Sequence, residues 1–267
     1  DYSAVWQAQD CTSYLSSILK RRRNKRMVIN VHAGHNPDGK VACGAIGIIR
    51  ESTEARNVKN EVIRQLKGLG HTVYDCTVEN GTSANNVLCN IVGKCNAHAA
   101  DLDVSIHFNA GAKDMSGNGR TTGVEAYIYS DNSKAKPFAE KIVKAIAALG
   151  FKNRGVKINK KLYVLNHTKA PAMLIECCFV DDKDDVALYD FKSMASAIVY
   201  GITGQQYIEP SNNTSDDDAA TSGSETSVGD KDSIYRVQVG AYRNKANAIS
   251  LQEKLKAAGF DAAIVKA

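Results

Sequence analysis

The sequence predicts an α/β fold: a mostly parallel, mixed sheet with helices on both faces, plus a partial β-α-β unit at the C-terminus. Two observations carry this. Between Met27 and Gly204, short apolar runs alternate with longer segments of helical period, and strands separated by helices build parallel sheets. Residues with chemical potential also recur at the ends of the apolar runs, which is the edge where such sheets bind ligands.

The elements follow in order. Residues 1–26 are a peripheral extension ending in a basic cluster, Lys20 to Arg26. Met27–Val31 reads as a buried strand, and Ala45–Ile49 as a second strand-like run. Thr53–Leu69 has Val58, Val62, Leu66 and Leu69 at helical spacing, with Gly70 past its end. His71–Cys76 is a strand, Ser83–Ala99 a helix, and Leu102–His107 and Val124–Tyr129 are strands. Ser133–Leu149 is a helix closed by Gly150. Tyr163–Leu165 and Ala172–Glu176 read as short strands, and Asp182–Leu188 and Phe191–Ile202 as helices. These elements make one domain over residues 27–204. Ser, Asp, Thr, Asn and Gly then dominate residues 205–232, most strongly from Ile208 onward. That composition cannot bury a core and reads as a flexible linker. Residues 233–267 resume with an alternating strand, Ile234–Val239, a helix, Asn244–Ala258, and a strand beginning at Asp261. One unit of that size is below the length that folds unaided.

Composition narrows the function classes. With 43% hydrophobic and 24% charged residues over 267 positions, the chain suits a globular protein with one sizeable core and an appendage. No run of 18 apolar residues appears, so no membrane span is expected. The net charge of +5 suits an anionic partner, but the basic cluster is short, terminal and free of interleaved aromatics. That argues against nucleic-acid binding. Seven cysteines cannot all pair within one chain, and none shows CxxC spacing, so folding in a reducing cytosol fits. Cys177 and Cys178 read as buried small residues rather than reactive thiols. The first residues lack the apolar core of a signal peptide.

Four residues stand out. His35 follows the first strand, Glu51 follows Ala45–Ile49, His107 closes Asp103–Ile106, and Glu176 closes Ala172–Ile175. Two histidines and a carboxylate are a common set for a catalytic zinc with one position open for water. A further carboxylate is the usual base beside it. His32 competes with His35, and as part of the buried run it would support the site from behind. Gly34 is expected to permit a tight turn before His35. Glu54 is an alternative to Glu51, because the start of a helix favours either carboxylate. Asn109 adds a polar group to the strand exit at His107. Walker A, HExxH and GxSxG patterns are absent.

Gly34-His35, Glu51, Ser105-Ile106-His107-Phe108-Asn109 and Leu174-Ile175-Glu176, in that order, resemble the zinc-dependent N-acetylmuramoyl-L-alanine amidase family of phage endolysins and bacterial autolysins. Gly123-Val124-Glu125, Asn153-Arg154-Gly155-Val156-Lys157 and Leu165–Ala172 support the likeness. The resemblance implies Zn2+ held by His35, Glu51 and His107, with Glu176 as catalytic carboxylate and peptidoglycan as substrate. Many members of that family carry an acidic residue at the position of His32. Tyr235–Tyr242, Asn244–Ala248 and Ala258–Ala262 resemble the first half of a SPOR peptidoglycan-binding domain. Together these imply a chain made in the cytoplasm without a signal peptide that reaches the wall after lysis or holin-type release. A stem-peptide zinc peptidase and a non-catalytic wall binder are the rival readings.

Overall fold

The computed structural model describes residues 26–209, 248–249, 251–253 and 263–264. The expectations for residues 1–25, for the linker and for most of the C-terminal unit lie outside these. Within that unit, residues 248–249 and 251–253 are helical, and 263–264 lie in neither helix nor strand. The chain divides after Ile208, and the sheet lies wholly in the first unit.

That sheet has six strands: β1 (Val28–Ala33), β2 (Thr72–Asp75), β3 (Leu102–Asn109), β4 (Val124–Ile128), β5 (Asn153–Ile158) and β6 (Ala172–Phe179). Their order is β2-β1-β3-β6-β4-β5. Pairing is parallel except between β4 and β6, so the sheet is mixed, as the sequence predicts. The helices are α1 (Glu51–Gly68), α2 (Ala84–Asn96), α3 (Lys136–Ala147), α4 (Tyr163–His167), α5 (Lys183–Leu188) and α6 (Phe191–Thr203).

Two cores flank the sheet. One packs Val58, Val62 and Leu66 of α1, Ile142 and Ile146 of α3, and Met194 and Ile198 of α6 against Ile29, Val31, Val104, Ile106 and Ile175. The other packs Val87 and Ile91 of α2 and Val164 and Leu165 of α4 against Ala172 and Leu174. Alternation along the strands assigns the faces. Leu102, Val104, Ile106 and Phe108 enter the first core. The residues between them, Asp103, Ser105, His107 and Asn109, therefore face the other way, as do His32 of β1, Glu125 of β4 and Glu176 of β6. The rim of the second face thus receives most of the polar residues.

Three elements differ from expectation. Ala45–Ile49 is not a strand of the sheet; it holds a single bridge, Ile46 to Arg50. Ile48 donates its N–H to the carbonyl of Val180 past β6, while Ile46 and Ile48 remain exposed. Its apolar run covers the sheet end instead of joining the sheet. Tyr163–Leu165 belongs to α4, since so short an apolar run does not discriminate strand from helix. β5 is an edge strand paired only with β4 and only half-buried, so its sequence lacks a strong apolar signal.

Carboxylates pin the connections near the rim. Asp181 accepts N–H bonds from Gly111, Ala112 and Lys113. Asp184 accepts them from Asn118, Gly119 and Arg120. Asp182 takes the N–H and hydroxyl of Thr122 and caps α5 through Asp184 and Asp185. Asp185, fully buried, accepts from Gly123 and Phe179. Asp182 and Asp184 lie within 4.8 Å of Asp114, but their oxygens serve these N–H groups. On the edge, buried Glu125 receives Arg154 Nε at 2.5 Å, Lys157 Nζ at 2.5 Å and Tyr127 Oη at 2.6 Å, tying β5 to β4.

Asp185→Ala leaves two buried N–H groups without acceptors and is expected to cost about 2–4 kcal/mol, read as a fall in the urea midpoint. Burial alone would raise the Glu125 carboxyl, but Lys157, Tyr127 and Arg154 hold it down at about 2, against an ordinary 4.5. Its contribution is complete above the ordinary value and disappears as pH falls through about 2. The stability gap between wild type and Glu125→Gln is therefore expected to be largest above pH 5 and to narrow steadily below pH 4.

Candidate metal centre

Glu51 opens α1, where the helix N-terminus favours a carboxylate. Its Oε2 accepts the N–H of Ala45 at 2.7 Å, and Oε1 accepts that of Phe108 at 3.2 Å. Oε1 also lies 2.9 Å from His107 Nδ1 and 3.3 Å from His35 Nε2. The three residues offer donor atoms all within 4.8 Å of one another. Such a spacing fits a single ion held at about 2 Å by each donor. The donor set, two imidazoles and a carboxylate with half-buried His35 toward solvent, could hold a metal ion and fits the ligand types of an open zinc site. Burial would raise the Glu51 carboxyl, but hydrogen bonds from His107 and His35 and their charges hold it well below the ordinary range.

Gly34 earns its place by closeness, not by a turn. A Cβ there would lie 1.8 Å from His107 Cε1, and Gly34 is not among the positive-φ glycines. Gly44, at φ +82°, is the one that turns left-handed beside the centre, and a Cβ on it would meet Glu51 Oε2 at 2.5 Å.

His107 and Glu176 lie inside their strands rather than at the ends, and they face each other in register across β3 and β6. Glu176 Oε2 is buried without a partner. Burial, with the charges of Glu51 and Glu125, pushes its carboxyl up to about 8. A carboxyl raised by desolvation in a cleft is a mark of acid–base sites.

His32 is fully buried, and burial with the nearby His107 lowers it to about 3. It reaches His107, not His35: Ser105 Oγ stands 3.0 Å from His107 Nε2 and 3.5 Å from His32 Nδ1. In the tautomer that frees His107 Nδ1 for a cation, the ring proton sits on Nε2 and is donated to Ser105, whose own hydroxyl then turns to neutral His32. Glu54 stands apart from the centre, accepting from Asn57 and Tyr189. Asn109 donates to Glu125 at 3.0 Å. The sequence places Ser105, Glu125, Arg154 and Lys157 in the stretches that carry the family resemblance, but assigns none of them a contact; the structure supplies those. The alternation of Ser105 with His107 was the available signal for the first of these contacts. Cys177 and Cys178 are buried thiols raised well above their ordinary value by that burial, and among the described residues no cysteine is in a disulfide.

Comparison with known proteins joins this geometry to a lineage. Residues 29–204 match the family model described as N-acetylmuramoyl-L-alanine amidase, and residues 217–267 match that of the SPOR domain. N-acetylmuramoyl-L-alanine amidase CwlM of Bacillus licheniformis is 31% identical over 172 residues, covering 64% of this chain and 58% of that protein. The endolysin of Bacillus phage SPP1 is 31% identical over 181 residues, covering 63% and 60%. An uncharacterized protein of Clostridium perfringens is 38% identical over 164 residues, covering 61% and 47%. This chain thus matches about half the length of its curated relatives. Among solved structures, the catalytic domain of the CD27L endolysin targeting Clostridia difficile superposes with a TM-score of 0.59 at 27% identity, over 68% of this chain and 99% of that one. Since the matched span holds all six strands but for Val28 and every residue that converges on Glu51, the chain belongs to the N-acetylmuramoyl-L-alanine amidase family.

Proposed function

We propose that this chain hydrolyses the amide between the lactyl group of N-acetylmuramic acid and L-alanine in peptidoglycan, with zinc held by His35, Glu51 and His107. The observation that carries the reading is the convergence of those three donors beside a buried, unpartnered Glu176 oxygen. When bound, zinc supplies a Lewis acid that polarises the amide carbonyl and lowers the pKa of water to about 7.

The protein's own groups do the rest. Glu176 Oε2 accepts a proton from the attacking water and delivers it to the departing nitrogen. The C–N bond breaks, the lactyl carbon gains the water oxygen, and the L-alanine amine is released. Glu176 suits the task because its apolar surroundings leave Oε2 no other partner. Glu51, fixed by Ala45 and Phe108, holds both imidazoles in place. Ser105 and His32 complete the hydrogen bonding of His107 in its ligand tautomer. The SPOR match supports attachment to peptidoglycan, and the kinship with an endolysin supports action on the wall.

Digestion of purified peptidoglycan tests this. New L-alanine amino termini without new reducing ends, abolished by a chelator, are expected. Other amino termini would identify a stem-peptide peptidase, and none at all a wall binder. Glu176→Gln is expected to retain zinc and to lose activity by about 10²–10⁴-fold, while His35→Ala loses both. His32→Phe is expected to weaken zinc binding by about 10–100-fold in a competition titration. Unaltered affinity would remove His32 from the support of His107.

A further inference from the structure

Beyond Glu176 the rim continues onto β4 and β5, and there it turns basic. A cleft of about 380 Å3 is lined by Asn118, Arg120, Thr121, Thr122, Lys152 and Arg154. Arg120 and Lys152 are exposed, and among the described residues neither has a carboxylate partner. Arg154 is half-buried and shares the single carboxylate of Glu125 with Lys157, so that group also carries surplus positive charge. Asp182 and Asp184, at the start of α5, turn their oxygens to backbone N–H groups of the loop and, for Asp182, to the Thr122 hydroxyl.

We infer that this cleft is a subsite for a free carboxylate of the stem peptide, on the amine side of the scissile bond. The inference rests on the amidase reading above. Three observations support it. The first is position. β4 starts opposite the end of β6, with Glu125 in register with Glu176, and β5 starts beside β4, with Asn153 in register with Val124. Two strand spacings separate Glu176 from Arg154, about 10 Å, and an extended peptide crosses that in about three residues. The second is rigidity. Asp184 pins three successive N–H groups of the loop bearing Arg120, and Gly123 packs so tightly that a Cβ would lie 2.0 Å from the Lys152 carbonyl oxygen. Both walls are therefore fixed before a ligand arrives, which lowers the ordering cost of binding. The third is chemistry. A guanidinium and an ammonium with hydroxyl and amide neighbours match the planar, doubly accepting carboxylate.

The test uses the full chain and the peptide L-alanyl-γ-D-glutamyl-L-lysine, with its carboxyls free or amidated, titrated by calorimetry beside inorganic phosphate. The free acid is expected to bind more tightly than the amide or phosphate. Arg120→Gln/Lys152→Gln, both at exposed positions and checked for an unchanged melting temperature, is expected to weaken the acid about tenfold and the amide far less. On muramoyl peptides of the same two forms, the double variant is expected to raise KM for the acid about tenfold more than for the amide. Equal binding of acid and amide, equal loss for both, or phosphate binding as tightly as the acid would each overturn the subsite. The titration decides this even if neither muramoyl peptide is cleaved, an outcome that would remove the amidase reading instead.

Discussion

One buried carboxylate, Glu51, organises the rim of this protein. Its oxygens join the loop before α1, the backbone of β3 and the imidazoles of His35 and His107. A carboxylate so enclosed is costly unless its lone pairs are satisfied. Here they are, by groups from elements far apart in sequence. The constraint reaches outward: Gly34 and Gly44 have no side chain because the His107 ring and the Glu51 carboxylate occupy that space.

Glu51, Glu125 and Glu176 differ in how strongly they hold a proton, and their neighbours account for it. Two imidazoles face Glu51, two cations and a phenol face Glu125, and nothing donates to Glu176 Oε2. The two held as anions then disfavour charge on the third. The raised carboxyl of Glu176 thus comes from its surroundings as a set rather than from a local contact.

Much of this was legible in the sequence. The alternation of Asp103, Ser105, His107 and Asn109 with apolar residues assigns them to one face, and the helical spacing of Val58, Val62 and Leu66 assigns α1 to the other. The ordered residues from Gly34 to Glu176 point to the family that the matched span bears out. What could not be read depended on contacts across the fold. Ala45–Ile49 has strand composition, but Gly44 and Gly47 let it lie over the end of β6. The reach of His32 to His107 needs Ser105 as intermediary, and β1 and β3 must pair before that exists. β5 carries little apolar signal because half of its surroundings are solvent.

The place of β6 has a consequence for how the protein is made. It is the last strand of the sheet to leave the ribosome, yet it lies between β3 and β4 in the middle. Until it inserts, β3 and β4 have no common neighbour and the two halves of the sheet cannot join. Such long-range pairing is slow to form, and chains emerge from the N-terminus onward. Glu176 arrives on that same strand, so a nascent chain that already holds His35, Glu51 and His107 lacks the carboxyl that stands in register with His107. The joining of the two half-sheets and the meeting of Glu176 with His107 thus come with the same strand, before the two helices that follow it, α5 and α6, are added.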